Sequence, residues 1–297
     1  MPILAIEDFS LHYRCDGCGE PLVLLHGLGS SGADWVFQAE SLAPHFRLIV
    51  PDLRGSGLSP APRGPYSITQ FAADIWALLD HLQINRTSIM GFSLGGAVAI
   101  EMALQRPHAV ARLMTINTLP SYRLDSWRKR LELISQIALV RSLGMRRVAA
   151  IAAGRLFREP YQEPMRQRVI EVVGSAARQP YLKSVKALAR WCALDRLGAN
   201  PCELLMLAGE HDYTPLAEKR RYARQFGAQF AVVTGSRHGT PFDAIGACNA
   251  VALAFFNGKP LPDPATLVID GPVSAPTAAP VRADTGNVGS ASSHEVK

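Results

Sequence analysis

The chain is expected to adopt an α/β fold, with one long helical insertion. Two observations carry this expectation. Short apolar runs of strand length alternate with helical patterns up to residue 119 and again over residues 203–257, and most of the runs end in a glycine-broken loop. Between these two stretches, residues 121–197 hold helical patterns and no convincing strand. A length of 297 residues, 48% of them hydrophobic and 19% charged, suits one large α/β domain with an inserted lobe.

In chain order, residues 3–8 and 10–14 read as a strand pair. Cys15-Asp16-Gly17-Cys18 has a hairpin-turn centre. No second Cys or His pair stands at zinc-site spacing, so the two thiols are read as structural. Leu22-Val23-Leu24-Leu25 is a buried strand that breaks into His26-Gly27-Leu28-Gly29, at the sheet edge where open α/β sheets bind ligands. Residues 33–43 form a helix, and Arg47-Leu48-Ile49-Val50 is the next strand. It ends in the loop Asp52-Leu53-Arg54-Gly55-Ser56-Gly57-Leu58-Ser59, where Asp52 and Arg54 read as loop fasteners. Ser67-Ile68-Thr69-Gln70 is a capping box that opens a helix with Ile68, Phe71, Ile75, Leu78, Leu79 and Leu82 on one side.

The stretch that organises the chain follows. The strand Thr87-Ser88-Ile89-Met90 runs into Gly91-Phe92-Ser93-Leu94-Gly95-Gly96 and then a helix. A serine between two glycines in a strand-to-helix turn is a nucleophile elbow, so tight that only glycine fits on either side. Its hydroxyl stands at a helix N-terminus, where the amide dipoles favour negative charge. Residues 112–116 are one more strand.

In the insertion, Trp127, Leu131, Ile134 and Ala138 give one apolar stripe and Val169, Val172, Val173 and Ala176 another; both are expected to be buried faces of a helical cap. Residues 121–191 also carry 15 Lys and Arg against 5 Asp and Glu. Without nucleic-acid motifs or interleaved aromatics, this surplus reads as solvated helix faces, with steering of an anionic substrate as the functional alternative. Strands at 203–208 and 230–234 end in Gly209-Glu210-His211-Asp212 and Gly235-Ser236-Arg237-His238-Gly239. The final helix spans about 243–257. The expected domains are a core of residues 1–120 and 198–258, a cap of 121–197 and a largely disordered tail of 259–297, which has no aromatic residue.

Acyl transfer by a serine needs a base, a carboxylate to orient the base, and oxyanion donors. Of eight histidines, only His211 and His238 follow late strands in loops at the required edge. The order Ser93, Asp212, His238 fits the sequence Ser, acid, His, with His211, Glu210, Asp195 and Asp243 as rivals. Asp243 reads as the N-cap of the last helix. The backbone amides of Leu28 and Leu94 are the candidate oxyanion donors, and His26 reads as a loop organiser. Trp35 and Phe92 flank the two loops as candidate pocket residues.

Taken together, the His26 loop, the Asp52 loop, the Ser93 elbow, the Asp212 loop and the His238 loop resemble the α/β-hydrolase superfamily over residues 3–257. Within it, the chain is similar to the compact capped carboxylesterases, enol-lactonases and carbon–carbon bond hydrolases. The resemblance implies an eight-stranded, mostly parallel sheet, a helical cap and no cofactor or metal. Serine rather than aspartate at position 93 argues against the dehalogenase and epoxide-hydrolase branches. The meta-cleavage hydrolases usually place a tryptophan after the catalytic histidine, where this chain has Gly239. Arg190, before Trp191, resembles their substrate-binding arginine and is a candidate pocket residue.

The expectation is a serine hydrolase that cleaves a small carboxylic ester, thioester or lactone. A carbon–carbon hydrolase, a cofactor-free perhydrolase, an acyltransferase and a ligand-binding receptor remain alternatives. No apolar run reaches the roughly 18 residues of a membrane span. The N-terminus turns acidic too early for a signal peptide, and the five cysteines form no framework, so the expected location is cytoplasmic. The sequence gives no signal for oligomeric state.

Overall fold

The computed structural model describes residues 2–6, 9–199 and 202–271. Among these, eight strands form one sheet: β1 (Ile3–Ile6), β2 (Phe9–Asp16), β3 (Glu20–Leu25), β4 (Phe46–Pro51), β5 (Thr87–Phe92), β6 (Val110–Ile116), β7 (Glu203–Gly209) and β8 (Gln229–Val233). Their order is β1-β2-β4-β3-β5-β6-β7-β8, with β1 and β2 antiparallel to their neighbours and the rest parallel. The helices are α1 (Val36–Leu42), α2 (Ile68–His81), α3 (Leu94–Gln105), α4 (Trp127–Leu156), α5 (Glu163–Ser175), α6 (Arg178–Ala189), α7 (Leu216–Gln225), α8 (Thr240–Asp243) and α9 (Ile245–Phe256).

Strand residues alternate between two cores, as the two-residue repeat requires. Val23, Leu25, Ile89, Leu113, Leu204 and Met206 pack with α2 and α3 on one face. Leu22, Leu24, Met90, Met114, Leu205 and Leu207 pack with α1 and α9 on the other. The chain leaves β3 for β4 on one side and returns to β5 on the other. The strand order therefore reverses between β3 and β5, and the loops after these strands open a crevice there.

Residues between β6 and β7 are helical, and their two ends are pinned together. Ser121 bridges Cys192, the Tyr122 amide donates to the Trp191 carbonyl at 3.0 Å, and the Ala193 amide to the Pro120 carbonyl at 2.9 Å. Trp191 Nε1 and the Arg196 guanidinium both donate to the buried Glu101 carboxylate, each at 2.8 Å, which fastens this stem to α3.

Several expectations are corrected. Asp16-Gly17 does not close a hairpin, because β4 lies between β2 and β3. The turn crosses the start of β4, and a side chain at Gly17 would strike the Ala43 and Phe46 carbonyls. The Trp127 stripe is not buried: Trp127, Leu131 and Ile134 are 69%, 57% and 62% exposed. α4 turns its other apolar stripe inward, with Val140 buried and Ile137 packed beside it against Leu182. Two stripes with the same period run along this helix, and periodicity cannot choose between them. Gly144 (φ 75°) kinks α4.

The last helix is split at Ala244. The start of the expected disordered tail is packed: Leu267 is buried and Val268 bridges Thr234. The rest of that tail, residues 272–297, lies outside the described residues.

Candidate active site

Ser93 stands between β5 and α3 with φ 53° and ψ −113°, a backbone conformation that side chains rarely adopt. It persists because its surroundings leave no alternative. A side chain at Gly91 would collide with the Gly95 carbonyl, and one at Gly95 with the Leu25 carbonyl. The Ser93 amide donates to the Ile116 carbonyl at 2.9 Å, and the Thr118 hydroxyl donates to the Ser93 carbonyl at 2.9 Å.

Three candidate residues from separate loops meet here. Ser93 Oγ lies 3.0 Å from His238 Nε2, and His238 Nδ1 lies 2.7 Å from Asp212 Oδ1. The side chains of His238 and Asp212 are 9% and 1% exposed. The second Asp212 oxygen accepts from the Thr214 hydroxyl and from the ammonium of Lys219 on α7, whose side chain is also 1% exposed. Burial works to raise the Asp212 carboxyl. The hydrogen bond and charge of His238, with those of Lys219, overcome burial and hold the carboxyl down at about 2.

Asn117, the residue after β6, ties the strand ends together. Its Oδ1 accepts from the Gly209 amide at 2.8 Å and from Lys219 Nζ at 3.2 Å. Its Nδ2 lies 2.8 Å from both the His238 carbonyl and the Thr240 hydroxyl. Neither Asn117 nor Lys219 is singled out by sequence motifs. The available signals were an asparagine, tolerant of positive φ, at a strand's carboxyl end, and a lysine in register with the buried Tyr222 and Ala223.

The rivals fall elsewhere. His211 is exposed beside Glu210, and Asp195 is exposed. Asp243 is not an N-cap: it is buried at the end of α8, where it accepts from the Ser236 hydroxyl at 2.7 Å and the Arg237 amide at 3.0 Å, fixing the loop that carries His238.

The loop after β3 lies against the elbow, and a side chain at Gly27 would come within 2.9 Å of the Phe92 ring. His26, buried, donates from Nδ1 to the Gly27 carbonyl at 2.9 Å and accepts the Leu53 amide on Nε2 at 3.0 Å. Burial lowers its pKa, so the neutral ring does this bridging. The Leu28 and Leu94 amides donate to no loop or turn carbonyl among the described residues. Trp35 is buried in the core beneath this loop. Phe92 is buried with its ring centroid 5.2 Å from that of His238. Arg190 is exposed at the C-cap of α6, outside the hydrogen-bonded cluster.

The family model for the alpha/beta hydrolase fold matches residues 20–155. The chain has the α/β-hydrolase fold. It is 28% identical over 215 residues to 3-oxoadipate enol-lactonase 2 of Acinetobacter baylyi, covering 70% of this chain and 78% of that one. An uncharacterized protein of Mycobacterium tuberculosis is 40% identical over 112 residues, 38% of this chain, and the chain spans only 33% of that relative's length. Among solved structures, the enol-lactonase from Burkholderia xenovorans superposes with a TM-score of 0.79 at 26% identity, over 86% of this chain and 100% of that one.

Proposed function

We propose that the protein is a serine hydrolase that cleaves a small carboxylic ester, thioester or lactone through an acyl-enzyme. The observation that carries this reading is the continuous chain from Ser93 Oγ through His238 to Asp212, with contacts of 3.0 and 2.7 Å. Likeness to two enol-lactonases supports the choice of an acyl bond.

In this reading Ser93 Oγ attacks the acyl carbon while His238 Nε2 takes its proton. Asp212 keeps the Nδ1–H tautomer in place and stabilises the imidazolium. The negative charge on the former carbonyl oxygen is held by the amides of Leu28, on the loop after β3, and Leu94, at the N-terminus of α3. The intermediate collapses as His238 protonates the departing alkoxide or thiolate. Water then attacks the acyl-Ser93 ester with His238 again as base, and the acid and Ser93 are released.

The helical residues 121–197 serve as the cap over a core of 1–120 and 198–258. Tyr181 and Val173 would lie 3.1 Å from a side chain at Gly29, and Phe157 3.3 Å from one at Gly239, which supports that placement. None of the five cysteines is in a disulfide, which supports a reducing, cytoplasmic setting. Among the described residues no helix is long and apolar enough to cross a membrane.

Intact mass after a fluorophosphonate probe, on wild type and Ser93→Ala, tests the nucleophile. One adduct lost in the variant, with turnover in a series of p-nitrophenyl esters and small lactones, is the expected result. No adduct on the folded protein would overturn the reading and favour a ligand-binding role.

A further inference from the structure

The acid of the proposed triad does not face His238 alone. Asp212 is shared between His238 on one oxygen and the ammonium of Lys219 on the other, and the Lys219 side chain is 1% exposed. Lys219 is held by a second acceptor, Asn117 Oδ1, at 3.2 Å. A buried lysine is costly unless paired, and the proposed mechanism makes no use of it.

We propose that Lys219 is a positioning residue that biases His238 against protonation from solvent, so that the base stays in its working form at lower pH. The inference rests on the proposed triad for its consequence on rate.

The charge count gives the reason. With Lys219 protonated, Asp212 ionised and His238 neutral, the resting cluster carries no net charge. During attack His238 gains a proton but the substrate gains an oxyanion, and the cluster with its substrate is again neutral. Only a proton taken up from solvent leaves an uncompensated positive charge in a dry site, where it is expensive. Without Lys219, the same solvent proton would neutralise a lone buried carboxylate and be welcomed. Lys219 therefore penalises the unproductive protonation and leaves the productive one balanced.

The other groups around His238 do not supply this. Ser93 and Tyr213 touch its Nε2 as hydroxyls. Tyr213, 69% exposed, and the half-buried Tyr122 and Tyr181 are phenols, neutral over the range in which a histidine titrates. Asp243 on α8 is a carboxylate near His238, but burial raises its pKa, and it is spent on Ser236 and the Arg237 amide. Arg237, next in the chain, lines a separate pocket together with Arg158 and Glu159. Burial lowers the pKa of Lys219 itself, and Asp212 opposes the shift.

The test is the His238 imidazole titration, followed by NMR on histidine-labelled protein, in wild type, Lys219→Gln, Lys219→Met and Lys219→Arg. The two neutral variants should move the midpoint up by about one pH unit, and Lys219→Arg, which keeps the charge, should restore it. The acid limb of kcat/KM for a p-nitrophenyl ester should move in parallel. A midpoint unmoved in whichever neutral variant folds, or moved equally by Lys219→Arg, overturns the proposal. The NMR readout does not require turnover, so a protein that takes no fluorophosphonate would sink the hydrolase reading while the charge coupling is still decided.

Discussion

Tyr213 lies across one face of the His238 imidazole, with ring centroids 4.1 Å apart and its hydroxyl 2.8 Å from Nε2. Ser93 Oγ is 3.0 Å from the same nitrogen. With the Nδ1 proton directed at Asp212, Nε2 offers one lone pair to two hydroxyls. The Tyr213→Phe variant keeps the stacked ring and leaves the lone pair to Ser93. A hydrogen bond is worth about 1 kcal/mol net, so phosphonylation of Ser93 should quicken about fivefold. A slower reaction would mean that the phenol assists the nucleophile rather than competing with it.

The backbone at Ser93, φ 53° and ψ −113°, suits glycine. Strain of this kind costs on the order of 1–3 kcal/mol, and the greater freedom of glycine when unfolded returns roughly 0.5–1 kcal/mol of that. Ser93→Gly should therefore be stabler than wild type by about 1 kcal/mol while taking no fluorophosphonate. Thermal melts decide it: a lower midpoint than wild type would mean that the elbow is not strained in this protein.

Asn117 makes contacts that no apolar or acidic side chain can replace. Asn117→Ala leaves the Gly209 amide and Lys219 without an acceptor and the His238 loop without its donor. Losing partners for buried groups costs about 1–3 kcal/mol each. Urea denaturation should register a loss of about 3 kcal/mol, with ester turnover at least tenfold lower. Asn117→Asp keeps the acceptors but not the donor, and should restore part of the stability and little of the turnover.

What could be read from the sequence was what local pattern determines. The strand runs, the elbow glycines and the order of Ser93, Asp212 and His238 all depend on neighbours in the chain. What could not be read depended on strand order and packing. Asp16-Gly17 is a good hairpin pair, yet β4 inserts beside β2, and that pairing joins residues 32 to 38 positions apart. Lys219 and Asn117 are ordinary residues by sequence and meet only because α7 and β6 flank the same carboxyl edge. Asp243 reads as a helix cap until the chain turns at Ala244 and sends its carboxylate back to Ser236.

Residues 121–191 carry a surplus of basic over acidic side chains, 15 against 5, and Arg128, Arg141, Arg178 and Arg190 among them are exposed. If the surplus steers an anionic substrate, kcat/KM for an ester bearing a carboxylate should fall as salt is raised to about 0.5 M, since the screening length shrinks from about 10 Å at 0.1 M. A neutral ester of equal size should be insensitive. Equal responses would assign the surplus to solvation alone.

The pairing of Asp212 also predicts an acid limit to stability. Its carboxyl, 1% exposed, is held at about 2 in the folded chain, against about 3.9 when unfolded. A depressed carboxylate contributes stability that is present in full above the unfolded value and is lost as pH falls through the folded one. The window is therefore about pH 4 to pH 2, and the contribution is on the order of 2 kcal/mol. Unfolding free energies from urea titrations at pH 5, 4, 3 and 2 should fall more steeply in wild type than in Asp212→Asn, which has no proton to gain. Parallel curves would mean that other carboxylates dominate acid unfolding and that Asp212 gains from His238 and Lys219 no more than burial takes away.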